Sequence, residues 1–309
     1  MQLLMTIMEA LKWASTKLKA EITSALDSPL LDAEVLLAHT LACKKPELIA
    51  NMNKELQEEQ LQQFQNLISR RIEGEPVAYL IGKKAFYGRD FSVTPFVLIP
   101  RPATETLIEL AIDHCDKRDQ DTTLVLDIGT GSGAIALTLA LETPCPVIAT
   151  DISAQALSIA KTNAEKHTIG EQVDFRQGDL LEPIIPIMRA LRKQKRQEPL
   201  SPSFTHLVLC ANLPYLTTYQ LEKAQKDVRD YEPHLALVAG PDGMDCYWRL
   251  FKQIQQNRIL FPHDFITLIE IDPSQIIRIR EIISHFFPHA NCEIHKDLEG
   301  HDRIVSVQL

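Results

Sequence analysis

Several things are scarce in this sequence of 309 residues, and each shortage excludes a class of protein. Long apolar runs are missing. The segment Met1 to Ala20 is partly apolar but carries Glu9, Lys12, Lys17 and Lys19, so it reads as an amphipathic helix rather than a membrane span or signal peptide. Positive charge is in deficit: 32 Lys and Arg against 41 Asp and Glu leave a net charge of -9, which argues against a broad basic surface for nucleic acid. The six cysteines (Cys43, Cys115, Cys145, Cys210, Cys246, Cys292) are far apart and form no Cys-x-x-Cys pair. They are expected to be free thiols in a reducing cytoplasm, not disulfides or zinc ligands. The histidines are read as surface or interior groups, and no metal site is expected. There is no G-x-S-x-G elbow for a serine nucleophile. Glycine is sparse too, at 11 residues, yet Gly129, Gly131 and Gly133 fall within one five-residue stretch.

What is present divides the chain in three. Residues 1–75 read as helical: Leu4, Ile7, Met8, Leu11 and Ala14 recur at helical spacing, as do Leu30, Ala33, Leu37 and Leu41. Ser28-Pro29 is a start signal for the second helix, and Gly74 ends a third over Glu55 to Glu73. Residues 76–102 read as a β-rich connector, with strands and turns over Val77 to Ile81, Phe86 to Gly88 and Phe91 to Ile99. From 103 to 309, strands over Thr123 to Ile128, Val147 to Thr150, Val173 to Gln177, Thr205 to Ala211 and Phe265 to Ile271 alternate with helices, as in a doubly wound α/β sheet. Strands near Cys292 to His295 and Arg303 to Val307 complete it. The proline-rich segment 182–203, with Arg189, Arg192, Lys193, Lys195 and Arg196, reads as a solvated loop or helix face.

The chemistry is expected at the strand ends, where open α/β sheets bind ligands. The loop Gly129-Thr130-Gly131-Ser132-Gly133 joins a strand to a helix, and its glycines let backbone N–H groups approach a ligand closely. Gly129, Gly131 and Ala134 also satisfy the loose dinucleotide pattern, so a dehydrogenase is an alternative at this point. Asp151, ending the next strand, suits the two hydroxyls of a ribose. Asp127 is placed to orient the loop or to receive a cation. With Asp179 at the third strand end, these carboxylates favour S-adenosylmethionine, with its ammonium and sulfonium, over a pyrophosphate. The fourth strand stops at Asn212-Leu213-Pro214-Tyr215. An amide nitrogen is a poor nucleophile. The Asn212 side-chain oxygen and the Leu213 carbonyl can each accept one hydrogen of an –NH2 group and aim its nitrogen at a methyl donor. Pro214 stiffens this bend, and the Tyr215 ring can cover the planar acceptor and face a cation. Arg101, held extended between Pro100 and Pro102, is added as a substrate contact.

With these residues in hand, the sequence resembles the peptide chain release factor N5-glutamine methyltransferases (the PrmC/HemK family). The likeness runs along nearly the whole chain. It includes Leu98 to Glu105, Asp127 to Gly133, the Asn212 stretch, Tyr231-Glu232-Pro233 and Gly240 to Gly243. It implies a class I, Rossmann-like methyltransferase with a seven-stranded, mostly parallel sheet whose last strand is antiparallel, behind a small helical substrate-docking domain and a β-hairpin connector. It further implies S-adenosylmethionine as donor and the glutamine of the Gly-Gly-Gln loop of class I release factors as acceptor, with no membrane or direct nucleic-acid partner. By position, Asp127, Ile128, Gly129, Thr130, Gly131, Gly133, Asp151, Asp179 and Leu180 would line the cofactor. Asn212 would touch both ligands, and Leu213 to Tyr215 would hold the glutamine. The chain departs from the family at Leu213, usually proline, at Ala103, commonly Asp, and in the length of segment 182–203. Asn-Leu-Pro-Tyr is also the motif of ribosomal RNA adenine N6-dimethyltransferases, which makes that activity an alternative. Glutamine methylation of a ribosomal protein and an inactive fold used for binding are the others.

Overall fold

The computed structural model describes residues 5–22, 28–197 and 204–309. The chain forms two compact units: Met1–Lys83 together with Lys223–Glu232, and Lys84–Glu222 together with Pro233–Leu309.

The first unit is helical, with helices Ile7–Glu21, Pro29–Thr40, Lys45–Ala50, Glu58–Ile72 and Val77–Ile81. Thr6 opens the first with a capping box, its hydroxyl accepting from Glu9 N while Glu9 accepts from Thr6 N. Ser28 caps the second, with Pro29 in its first turn. Their apolar stripes meet in a core that includes Leu18, Leu36, Leu37, Phe64 and Ile68. Leu30, counted with the apolar stripe in sequence, is exposed. Val77–Ile81 is a helix, not the expected strand. Its β-branched ends suggested extension, but Leu80 packs into the helical core and Gly82, at φ +70°, closes the helix with a left-handed cap. A further helix, Lys226–Tyr231, comes from far along the chain and belongs to this unit. The buried Arg71 holds it: its Nε bonds Asp32 at 2.8 Å and its Nη1 lies 3.7 Å from Asp227, while the Tyr231 hydroxyl donates to the Glu73 carbonyl.

The second unit begins with a hairpin of β1 (Lys83–Phe86) and β2 (Arg89–Ser92), turned at Tyr87 and Gly88, both with positive φ. Regular pairing stops at Ser92, earlier than expected: Val93, Val97 and Ile99 are buried, but as irregular chain. The main sheet contains β3 (Thr123–Ile128), β4 (Val147–Asp151), β5 (Val173–Gln177), β6 (His206–Ala211), β7 (Asp264–Glu270), β8 (Asn291–Lys296) and β9 (Asp302–Gln308). Its order is β5-β4-β3-β6-β7-β9-β8, parallel except that β9 runs against both its neighbours. Alternation along β3 and β6 sends Leu124, Leu126, Ile128, Leu207 and Leu209 to one face, and Val125, Val208 and Cys210 to the other. Each fully buried Leu or Phe there contributes about 1.5–3 kcal/mol of transfer free energy. Helices Ile184–Gln197, Asp245–Asn257 and Ile276–Phe286 cover the first face; Glu105–Asp116, Ala134–Glu142 and Ala154–Lys166 cover the second. The basic segment is thus helical to Gln197, and residues 198–203 lie outside the described residues.

At the amino ends of the central strands, Asp264 accepts from Arg118 Nε and Nη2 at 2.8 and 3.0 Å, and from His206 and Gln308. These donors hold its carboxyl well down, to about 2. No helix among the described residues is long and apolar enough to cross a membrane.

Candidate active site

Chain order reverses between β3 and β6, and a cavity of about 290 Å³ opens beyond their carboxyl ends. The loop after β3 enters it with three successive positive-φ glycines, Gly129 (+78°), Gly131 (+56°) and Gly133 (+82°). Gly129 N and Thr130 N both donate to the Thr150 carbonyl of β4 at 2.9 Å, which pins the loop across the sheet. A Cβ on Gly129 would stand 2.8 Å from Leu213 Cδ2, whereas one on Gly131 would meet nothing within 4 Å. Gly131 therefore opens onto free space while Gly129 is closed in by the bend after β6.

Asp151 lies in the lining, with Oδ2 accepting from Gly131 N at 2.8 Å and Oδ1 from Ser153 N at 2.9 Å. Burial raises its carboxyl and these N–H groups offset the rise. Each oxygen keeps lone pairs for a further donor. Asp179 also lines the cavity, ion-paired with Arg249 of the helix Asp245–Asn257. Arg101, Thr130, Leu180, Asn212, Leu213 and Pro214 complete the expected residues that the cavity brings together.

Asp127, Ile128, Gly133 and Tyr215 are not among the lining residues. Asp127 is fully buried, its Oδ2 taking the Thr130 hydroxyl at 2.6 Å and Ala136 N at 3.1 Å. These contacts match the loop-orienting half of the expectation. Burial pushes its carboxyl up to about 7, and Oδ1 is buried without a partner. Gly133 caps the helix Ala134–Glu142. Tyr215 is partly buried, with its hydroxyl on Glu270 Oε1 at 3.2 Å.

Neither Glu270 nor Thr104 is among the site residues expected from sequence, although Thr104 falls within the Leu98 to Glu105 stretch. Asn212 Nδ2 donates to Thr104 Oγ1 at 3.0 Å, and Thr104 Oγ1 donates to Glu270 Oε2 at 2.6 Å. Leu213 N donates to the Tyr247 hydroxyl at 3.3 Å, which donates in turn to the Glu270 carbonyl. That N–H exists only because leucine stands where proline is usual. The signal for Glu270 was visible as a lone carboxylate ending an otherwise apolar strand. Phe96, Val97, Leu235 and Ala236 also line the cavity and carry no such signal, whereas Leu98, Pro100 and Pro233 fall in the stretches that carry the family resemblance.

The fit of an S-adenosylmethionine-like ligand rests on this lining. A largely apolar wall, the open face of Gly131, a ribose-competent Asp151 and a second carboxylate at Asp179 suit a ligand with a nucleoside and positive charge.

Comparison with known proteins gives the lineage. The family model described as PrmC N-terminal domain matches residues 9–82, and a methyltransferase domain model matches residues 119–187. A release factor glutamine methyltransferase of Rhodopirellula baltica is 36% identical over 306 residues, covering 98% of this chain and 96% of that protein. The chain belongs to the release factor glutamine methyltransferase family. Members from Bacillus cereus and Bacillus subtilis are 36% and 37% identical, covering 99% and 97% of this chain and 100% and 96% of their own lengths. The methyltransferase domain match begins just ahead of β3 and runs through the glycine loop, β4 and β5. The seven-stranded sheet is thus the doubly wound sheet read from the β-α alternation and the Rossmann-like methyltransferase architecture that the family resemblance implies.

Proposed function

We propose that this chain transfers a methyl group from S-adenosylmethionine to the side-chain amide nitrogen of the glutamine in the Gly-Gly-Gln loop of class I peptide chain release factors. It acts in the cytoplasm, and its helical unit (residues 1–83 with 223–232) docks the protein substrate for the catalytic unit (residues 84–222 with 233–309). The observation that carries this reading is the tethering of Asn212. Its Nδ2 is committed to Thr104 Oγ1 at the mouth of β6, beside the glycine loop and Asp151. An asparagine held by its nitrogen offers its oxygen, which is the group an incoming –NH2 requires.

When bound, the donor supplies an electrophilic methyl on a sulfonium. Asp151 takes the ribose hydroxyls, and the Gly129–Gly131 backbone and Leu180 shape the cradle for the nucleoside. Asp179, paired with Arg249, forms the acidic rim. Asn212 Oδ1 and the Leu213 carbonyl each accept one hydrogen of the glutamine amide, which fixes its nitrogen and supplies proximity and orientation, the main requirement of an SN2 transfer. Pro214 restricts the bend, Tyr215 buttresses it through Glu270, and Arg101 contacts the substrate chain.

The test is mass spectrometry of a purified class I release factor after incubation with the protein and isotopically labelled donor. One labelled methyl on the Gly-Gly-Gln glutamine is the expected product. Label in ribosomal RNA or a ribosomal protein, with none in the release factor, would overturn the assignment.

A further inference from the structure

We infer that Glu270 and Thr104 are positioning residues that set which end of the Asn212 amide faces the acceptor. This rests on the function proposed above and adds two residues to its machinery. The hydrogen bonds have a direction. Glu270 ends β7 and is almost entirely buried, at 1% exposure. A carboxylate only accepts, so the Thr104 hydroxyl must spend its single hydrogen on Glu270 Oε2, where it lies 2.6 Å away. Thr104 Oγ1 then has only lone pairs left for its other neighbour. Asn212 can meet it only with Nδ2, and the pair stands at 3.0 Å. The side-chain oxygen of Asn212 is thereby left for the –NH2 of the acceptor.

An asparagine amide is nearly symmetric in shape, and a flipped Asn212 would present two hydrogens to a substrate that also brings two. Pocket shape alone does not forbid the flip; the polarity of the Glu270–Thr104–Asn212 chain does. The same carboxyl takes the Tyr215 hydroxyl on its other oxygen at 3.2 Å, so one group orients both ends of the Asn212 to Tyr215 bend. Burial raises the Glu270 carboxyl above its ordinary value, and the Thr104 and Tyr215 hydroxyls and the charges of Arg303 and Arg101 oppose that rise.

Glu270→Gln keeps the shape and reverses the polarity, because a glutamine NH2 can donate to Thr104 and free the threonine hydrogen for Asn212 Oδ1. The expected result is a kcat for release-factor methylation lowered by about 10–100-fold, the scale of a hydrogen bond lost only in the transition state. Donor dissociation constant by calorimetry, KM for the release factor and melting temperature should stay within about twofold or a few degrees. Thr104→Val should lower kcat by a similar factor, Thr104→Ser should recover most of what valine loses, and the double variant should be no slower than the worse single one. In the free protein, the Asn212 side-chain NH2 resonances should shift in Glu270→Gln while those of distant amides do not. Unchanged kcat and unchanged Asn212 resonances in Glu270→Gln would overturn the inference. So would a loss shared equally with melting temperature and donor affinity. Wild-type protein is assayed alongside: if it fails to methylate the release factor, the function is refuted, and if it succeeds while Glu270→Gln matches it, only the positioning role is.

Discussion

The contact between the glycine loop and Leu213 allows a quantitative test, because two neighbouring glycines differ in what surrounds them. Both have left-handed backbones, at φ +78° for Gly129 and +56° for Gly131, so alanine at either position costs about 1 kcal/mol from the backbone. Gly131 has open space around it, and Gly131→Ala should cost little more. At Gly129 the new Cβ would lie 2.8 Å from Leu213 Cδ2, and Leu213 is only 4% exposed, so its side chain has little room to yield. Overpacking of this kind adds about 1–3 kcal/mol, for about 3 kcal/mol in all. In a unit of roughly 200 residues, 1 kcal/mol corresponds to about 2–4 °C. Scanning calorimetry should therefore show a drop of about 2–4 °C for Gly131→Ala and about 6–12 °C for Gly129→Ala in the methyltransferase transition. Leu213→Ala alone opens a cavity worth about 3 kcal/mol, but combined with Gly129→Ala it removes the atom that clashes. The double variant should be about 1–2 kcal/mol more stable than the sum of its parts. Equal losses at the two glycines, or a strictly additive pair, would refute the steric reasoning.

Three further outcomes follow from geometry already given. Asn212→Ala should lower turnover at least about 100-fold while leaving donor affinity within a few fold, measured by steady-state kinetics and calorimetry. Arg71→Leu strands Asp32 and Asp227, which are 19% and 26% exposed, and should destabilise the helical unit by about 2–3 kcal/mol, read as a lower melting temperature. Asp264 is held at about 2, below its unfolded value of about 3.9, so its contribution is complete above that value and is lost as pH falls toward 2. With its side chain 32% exposed, screening reduces this to about 1 kcal/mol, and Asp264→Asn should flatten the acid limb of a stability-against-pH curve.

Much of the architecture was legible because buried parallel strands are unusual sequences. Thr123–Ile128 matches the sequence expectation to the residue, and β4, β6 and β7 match within one residue at each end, from apolar runs that stop at polar strand ends. Those same stops located the glycine loop, Asp151, Asp179 and Asn212, which do line one cavity. Three features were hidden, each for its own reason. Val77–Ile81 is short, and its type is decided by what Leu80 packs against, not by its own composition. The Thr104–Glu270 bond joins positions 166 residues apart, a pairing with no local periodicity. The helix Lys226–Tyr231 has an ordinary composition, so nothing marks it as part of a different compact unit from the residues on either side.

That last helix matters for anyone wishing to dissect the protein. Residues 223–232 are bracketed by catalytic sequence yet fold with the helical unit, so no single scissor point along the gene separates the two. A fragment starting at residue 84 carries Asp227 away from Arg71, and a fragment ending at 83 leaves that arginine facing an empty berth. Such halves are complementary in the manner of split reporters. Expressed together, they have a ready-made clasp through which to reunite.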